Sequence, residues 1–357
     1  LAIRATKEFA LALKGKIQVF AKDWNGAKTS LKAVINSGKY ALVPGTKMSE
    51  LLHGEGDACE EKLLDLNYLD FPGVRLTGKN HGQANQADMW RSGNGGFWGK
   101  ILPKKIIQSE GWGGGGNPSK SFVEAIMENE PDSYRRKAWI LSYDELITDL
   151  EWNTFEGQSA AEKLMNPKIG IQPGYHYFGS VGYFSMKRAP RYADLNANSD
   201  SNTHENQNVM RYAEVLLLYA EACAMTNDND GLQYLNMVAE RAGAPTYSAP
   251  LKMEDVKKEK RFEMFVEGTR FADLVRWGDA ATVLKDQGKE VPSFYDEFWG
   301  PDGNPSGKPH HFVVDYSDAY YNKAGEYGFV AGKNERMPFP YNTVSQNENL
   351  NQNPGWN

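Results

Sequence analysis

The 357-residue sequence predicts a mainly α-helical protein in which helical hairpins form a scaffold beneath a loop-rich half with short strands. Two well-patterned hairpins, near residues 6–38 and 208–243, predict the scaffold. Between them lies a long segment rich in Gly, Asn and aromatic residues. Long irregular segments in a compact protein commonly carry function, so we expect the ligand-facing half there.

The first hairpin is defined by two capping residues and a terminal glycine. Thr6 is a good N-cap for one helix, and Asp23 is a good N-cap for a second helix that stops at Gly38. The expected packing face of the first helix is Phe9, Ala10, Leu13, Ile17 and Phe20. The second helix carries Trp24, Ala27, Leu31, Val34 and Ile35. The small residues and Pro44 just beyond resemble a tetratricopeptide pattern, so residues 1–44 are predicted to form one such hairpin.

The second hairpin begins near Asn208 and turns at residues 227–231. Its expected apolar face is Val209, Tyr212, Ala213, Leu216, Tyr219, Ala220 and Cys223. The return helix ends at Gly243, and further helices are predicted at about 253–266 and 271–277. The helical layer must therefore assemble across the long insertion.

The chain is predicted to be a single domain with four parts. After the first hairpin come a loop-rich, ligand-facing insertion (45–205), a helical part (206–285) and an irregular C-terminal part (286–357). Within the insertion, helical period is limited to residues 119–127 and 159–164. No basic and apolar leader precedes the first helix, so we expect an N-terminal portion that this sequence does not include.

Composition narrows the classes of function. Forty basic and 46 acidic residues give a formal charge of −6, which lacks the basic excess needed to bind nucleic acid. No apolar run approaches the roughly 18 residues that span a membrane. The nine Trp, 18 Tyr and 16 Phe in a chain with 35 Gly instead indicate aromatic side chains on irregular surface.

The aromatic residues of the insertion suggest a sugar-binding site. Sugars have apolar C–H faces and polar rims, so they fit flat rings flanked by hydrogen-bonding groups. The candidate ligand-binding residues are Trp90, Arg91, Asn94, Trp98 and Trp112. The alternative is that these tryptophans pack in the core, which is the commoner role of Trp.

A calcium site is a second hypothesis for the insertion. Asp194, Asn196, Asn198 and Glu205 have the spacing of ligands in an EF-hand-like loop. Ser199 stands where that loop needs its turn glycine, and a solvated Asn/Asp-rich linker is the competing interpretation. No cofactor is otherwise required.

Signatures of catalysis are absent from the sequence. It has no nucleophile elbow, Walker loop, dinucleotide loop or His-Glu-x-x-His motif. Charges of alternating sign recur every three residues at Glu267, Arg270, Asp273 and Arg276. Because each acid has a neighbouring Arg that keeps it ionised, we interpret these charges as structural. Trp277 is expected in the core with Phe271, Leu274 and Val275.

Four motifs, in order along the chain, resemble the SusD/RagB family. They are RYAEVLLLYAEA (211–222), YLNMVAERAG (234–243), EKRFEMFVEGTRFADLVRWG (259–278) and the C-terminal PFP (338–340) with NLNQNPGW (349–356). Thr343 departs from the family, which usually has Glu at that place. Asp23, Trp24 and Tyr40 agree with the family's second tetratricopeptide-like pair, and the resemblance covers nearly the whole chain.

The resemblance implies a non-enzymatic, nutrient-binding lipoprotein of the outer membrane at the cell surface. Such a protein binds a glycan and delivers it to a SusC-like TonB-dependent transporter, and it is held by an N-terminal lipid anchor outside this sequence. A peptide-binding RagB-like receptor is the first alternative. An intracellular tetratricopeptide scaffold for partner proteins is another. A glycosidase is the enzymatic alternative, and it would need two acids on the loop half, within about 10 Å of each other and facing a cleft.

Overall fold

The computed structural model describes residues 4–67, 118–142, 145, 177–178, 180–187, 206–298, 300, 304–309, 311–318 and 327–356. The chain divides into two compact units. The first comprises residues 1–266 and 293–314, and the second comprises residues 267–292 and 315–357. The prediction of a single domain stays a prediction.

Helices dominate the described residues, which confirms the predicted mainly α class. In chain order the helices are α1 (Lys7–Phe20), α2 (Trp24–Asn36), α3 (Lys120–Asn129), α4 (Tyr134–Trp139), α5 (Tyr212–Ala224), α6 (Asp230–Arg241), α7 (Met253–Glu263), α8 (Arg270–Trp277), α9 (Ala280–Val283) and α10 (Tyr341–Ser345). The strands are β1 (Lys62–Leu66), β2 (Ile140–Ser142), β3 (Tyr177–Phe178), β4 (Tyr183–Ser185), β5 (Gln207–Arg211), β6 (Glu290–Asp296) and β7 (Phe312–Asp318).

The caps predicted for the first hairpin are present. The Thr6 hydroxyl accepts a hydrogen bond from the backbone N–H of Phe9 at 3.0 Å, and the Asp23 carboxylate accepts one from Gly26 at 3.0 Å. Gly38 follows α2 with φ of +62°, in the left-handed region that favours glycine. Both helices therefore begin directly after their predicted N-caps, and α2 ends at Asn36, two residues before Gly38.

The packing face predicted for α1 is confirmed at Phe9, which is buried, and is wrong at Ala10, Leu13, Ile17 and Phe20. Leu13, Ile17 and Phe20 are 42%, 60% and 44% exposed, whereas the buried positions of α1 include Phe9, Ala12, Gly15 and Val19. Helix α1 has two apolar faces, and the one that is buried carries the smaller residues. A Cβ added to Gly15 would lie 2.5 Å from Cγ of Leu31, so glycine permits the close approach of α1 and α2.

Helix α5 lies at the centre of the scaffold. Its residues 212–223 are all buried, and α5 packs against α1, α2, α6 and α7. The two sequence-distant hairpins thus share one core, as predicted. Val209 lies in strand β5 rather than in a helix and is 41% exposed. Helix α7 ends at Glu263, three residues before the predicted end, and Val266 has a positive φ of +53°.

The described part of the insertion adds short strands and two helices to the first unit. Strand β1 pairs antiparallel with β5, and β2 pairs antiparallel with β4. The predicted helix at residues 119–127 is confirmed as α3, whereas residues 159–164 lie outside the described residues. Residues of α3, α4 and β2 join a second buried apolar cluster with Phe262 of α7. A three-stranded sheet has the order β3-β6-β7.

The second unit contains α8, which ends at Gly278 with φ of +79°. Trp277, expected in the core, is half-buried, and Leu274 is buried as expected, whereas Phe271 is 50% exposed. The amphipathic face of α8 is buried at Leu274 and Asp273, and Asp273 accepts a hydrogen bond from Nε of Arg276 at 3.0 Å. That ion pair supports the structural interpretation of the alternating charges.

Candidate functional site

A group of seven charged side chains lies inside the first unit, where three of the family-like motifs meet. We call it the buried ion cluster: Glu61, Glu130, Arg135, Arg211, Arg241, Glu259 and Glu263. Their side chains are at most 4% exposed. Ions so deep in a protein are tolerated only when paired and hydrogen-bonded, so their geometry decides their role.

Arg135, at the start of α4, is hydrogen-bonded by carboxylates from two directions. Its Nε and Nη2 atoms donate to the two oxygens of Glu130 at 2.6 and 2.5 Å. Nη1 and Nη2 donate to the two oxygens of Glu259 at 2.5 and 3.1 Å. Nη1 also reaches Glu263 at 3.2 Å. The planar guanidinium is thus engaged along two edges, which is the geometry that favours Arg over Lys.

Arg211 and Arg241 complete the cluster on the scaffold side. Nη1 of Arg211 donates to Glu61 at 2.7 Å and to Glu263 at 2.6 Å, while Nη2 donates to the backbone carbonyl of Glu263 at 2.8 Å. Nη1 of Arg241 donates to the other oxygen of Glu61 at 2.8 Å, and its Nη2 donates to Glu263. Glu263 is therefore shared by all three arginines.

Burial and charge act in opposite directions on these carboxyl groups. Burial alone would raise the pKa of Glu263, but Arg241, Arg211 and Arg135 outweigh it and lower the pKa to about 2. For Glu130, burial prevails over its hydrogen bond to Arg135, and the pKa is raised. The cluster acids are near one another but have almost no exposed surface. They do not form the exposed acid pair that a glycosidase needs.

The members of this cluster could not be connected from the sequence. Arg135 and Glu259 are 124 positions apart, and Arg211 and Glu61 are 150 apart, so no local spacing connects them. One signal was present. Arg135 falls in a six-residue helix whose end is marked by the buried Trp139, and charges beside core positions indicate partners elsewhere in the chain.

The turn between β6 and β7 presents polar groups to solvent. The carboxylate of Glu297 binds Nζ of Lys308 at 2.8 Å and lies 3.1 Å from Nδ1 of His311. The side-chain hydrogen bond from Lys308, and then that from His311, lower the pKa of Glu297. Behind the turn, Phe294 is 4% exposed and stacks on Phe312 at 5.5 Å between ring centroids. Phe294 is thus a core residue and no ligand platform.

In the second unit, the C-terminal motif holds a preceding segment through side-chain to backbone hydrogen bonds. The Gln352 amide accepts from the N–H of Phe339 at 2.8 Å and donates to its carbonyl at 2.9 Å. Asn353 donates to the carbonyl of Met337 at 2.6 Å. The indole of Trp356 donates to the carbonyls of Lys333 and Arg336. We call Gln352, Asn353 and Trp356 the C-terminal clamp.

The residues predicted to bind ligand all lie outside the described residues. These are Trp90, Arg91, Asn94, Trp98 and Trp112, and for calcium Asp194, Asn196, Asn198 and Glu205. Both hypotheses stay predictions. Within the ranges that the structure describes, no three His, Cys, Asp or Glu side chains are grouped to hold a metal ion. No helix in those ranges is long and apolar enough to cross a membrane.

Taken together, the described residues form a scaffold of helical hairpins, and residues of the family-like motifs hold that scaffold together. The chain matches the SusD family over residues 75–356 and belongs to that family. The predicted resemblance is therefore confirmed.

Relatives and solved structures agree with this assignment. SusD-like protein P25 of Formosa agariphila is 26% identical over 317 residues, covering 86% of this chain and 55% of the relative. The surface glycan-binding protein A of Bacteroides thetaiotaomicron has a TM-score of 0.64 at 21% identity, covering 98% of this chain and 64% of that one. A laminarin binding SusD-like protein has a TM-score of 0.62 at 23% identity, covering 98% and 63%.

The matches cover only part of each relative, and their sequence identity is limited. The chain spans about half the length of the curated relatives that it matches over most of its own residues. The identities to the two solved structures are below 25%, so those structures show a common fold. A separate structure of the B. thetaiotaomicron protein holds laminarihexaose, at a TM-score of 0.55 and 22% identity over 78% of this chain and 56% of that one.

Proposed function

We propose that this protein binds a glycan at the cell surface and does not cleave it. Membership of the SusD family carries the proposal. It is supported by solved structures of the same fold whose names describe surface glycan binding and laminarin binding.

The proposed ligand contacts are those predicted from the insertion. Trp90, Trp98 and Trp112 supply flat rings for stacking on sugar C–H faces, and Arg91 and Asn94 supply hydrogen bonds to hydroxyl groups. Stacking on one ring is worth on the order of 1 kcal/mol, so loss of a platform lowers affinity by up to about tenfold. Calcium at Asp194, Asn196, Asn198 and Glu205 stays a separate, untested proposal.

The rest of the proposed role concerns the whole protein. The partner is a SusC-like TonB-dependent transporter, to which the protein hands its ligand. The protein is held at the outer membrane by an N-terminal lipid anchor outside this sequence. Co-purification of the native protein with a TonB-dependent barrel tests the partnership, and isolation of a barrel-free native protein from solubilised outer membranes contradicts it.

Binding is tested by a glycan array and by calorimetry with laminarihexaose, with cellohexaose as a linkage control. The parent should bind at least one glycan, and Trp90→Ala, Trp98→Ala or Trp112→Ala should weaken that binding without lowering the melting temperature. Reducing ends should not increase after incubation with the bound glycan. Binding to peptides and to no glycan would favour the RagB-like alternative, and parent-like binding by all three variants would refute the platform.

A further inference from the structure

The segment 118–142, which we call the anchor segment, links two long parts of the insertion. It contains α3, α4 and β2 and packs within the first unit. In the sequence it follows residues 68–117, which include Trp90, Trp98 and Trp112, and it precedes residues 143–176. Trp112 is only six residues from its first residue. The anchor segment is therefore joined directly to the last residue of the first part and to the first residue of the second part.

Apolar packing brings the anchor segment onto the scaffold. Phe122 of α3 stacks on Phe265 at 4.4 Å between ring centroids and meets Phe262 edge-on at 5.9 Å. Such apolar contacts supply most of the free energy that holds the anchor segment on the scaffold. Hydrophobic cores nevertheless tolerate shifts and repacking while they remain compact. Apolar packing alone does not explain why this segment has one geometry.

Directional bonds fix that geometry, and those of Arg135 are the most demanding. Arg135 pairs with both oxygens of Glu130, inside the anchor segment, and with both oxygens of Glu259 on α7. All these side chains are buried, so a displaced guanidinium would leave charges without partners and without water. Glu259 is itself oriented by the hydroxyl of Tyr247, which donates to its Oε2 at 2.9 Å.

We propose that Arg135 is a positioning residue for ligand binding: its two-sided guanidinium contact fixes on α7 the anchor segment, which directly follows the proposed ligand contacts in the sequence. This inference rests on the glycan-binding function proposed above. Arg135 itself is not proposed to contact the ligand. It acts by lowering the conformational freedom that ligand binding would otherwise have to remove.

The variant Arg135→Lys tests the proposal, because lysine keeps the charge but cannot pair with two carboxylates through a planar fork. We expect affinity for laminarihexaose, measured by calorimetry, to fall about tenfold. Hydrogen exchange should become faster in residues 118–142 and stay unchanged in α5 and α6. Glu259→Gln, which removes one charge at constant shape, should give the same pattern more weakly and serves if Arg135→Lys does not fold.

Two matched controls separate positioning from stability. Arg211→Lys makes the same chemical change in the same cluster, where Arg211 bonds Glu61 and Glu263 rather than the anchor segment. It should lower the melting temperature and leave affinity unchanged at a temperature where it is folded. Lys137→Met, on the exposed side of α4, should change neither quantity.

For each variant, the loss of affinity is divided by the fall in melting temperature. If this ratio is the same for Arg135→Lys and Arg211→Lys, Arg135 is merely structural and the proposal is overturned. Parent-like exchange in residues 118–142 of both Arg135→Lys and Glu259→Gln would also overturn it. If the parent binds no glycan, the proposed function fails and the affinity part falls with it. The exchange measurement still decides whether Arg135 fixes the anchor segment.

Discussion

The buried ion cluster and the C-terminal clamp both contain residues from family-like motifs, yet they stabilise the chain through different interactions. The cluster joins distant segments through ions with almost no access to water. The clamp joins segments about 13–23 positions apart through neutral amide and indole groups at the surface. A recognisable motif therefore identifies a structural contact without indicating how much stability depends on it.

The largest expected effect is in the ion cluster. Arg211→Met should lower the free energy of unfolding by about 3–5 kcal/mol, because Glu61 and Glu263 each lose a buried partner. Urea unfolding followed by tryptophan fluorescence measures this change. As a control, Lys137→Met removes an exposed ion pair with Asp132 and should leave the urea midpoint unchanged. Similar midpoints for the two variants would refute the contrast between buried and exposed charges.

The second-largest expected effect is a loss of stability in acid, through the carboxyl groups of the buried ion cluster. The pKa of Glu263 is about 2 in the fold, below its ordinary value of 4.5, so the unfolded chain binds the proton more tightly. The stabilisation is complete above pH 4.5 and is lost as pH falls towards 2, at about 3 kcal/mol in total. The contribution of Glu130 has the opposite sign. Because the pKa of Glu130 is raised in the fold, its protonation in acid favours the folded state and partly offsets the loss.

The acid effect is measured as the difference in urea midpoint between pH 5 and pH 2.5. The loss should be smaller in Glu263→Gln than in the parent, since the variant has no carboxylate there to protonate. The two proteins differ only at residue 263, so the comparison isolates Glu263. An equal pH dependence of the two proteins would show that the acid sensitivity arises elsewhere.

The smallest effect is expected at the clamp. Gln352→Ala removes two exposed hydrogen bonds to Phe339, each with a net contribution of about 1 kcal/mol. Amide exchange at residues 337–341 should become faster, whereas the urea midpoint of the first unit should not change. Gln352→Glu keeps the acceptor for the Phe339 N–H but loses the donor, and it should give an intermediate rate. A global loss of stability would place the clamp in the same class as the ion cluster.

The helical scaffold could be predicted from sequence because its signals are local. Thr6, Asp23 and Gly38 each act within about one turn of helix, and the structure confirms all three. The packing face of α1 could not be predicted, since both of its faces are apolar. The periodicity of apolar residues indicates that a helix has an apolar face. Which face packs against a neighbouring helix depends on shape, here on the close contact of Gly15 with Leu31.

The site was less accessible to sequence reasoning for a related reason. A platform ring and a core ring have the same composition, and Phe294 shows how an aromatic residue beside an exposed turn can be buried. The ion cluster was missed because its members are brought together only by the tertiary fold. The tryptophans of residues 90–112 stay a hypothesis whose test is binding.

The outward face of α1 has a practical consequence for handling the protein. Leu13, Ile17 and Phe20 follow one another at intervals of four and three residues, so their exposed parts form a continuous ridge along the helix. On α6, by contrast, the exposed positions are Gln233, Met237 and Glu240, of which only Met237 is apolar. A ridge of this kind adsorbs to phenyl resins and to amphiphilic dyes, and rising ammonium sulfate strengthens that adsorption. These three side chains of the first helix therefore contribute to the chromatographic retention of the chain.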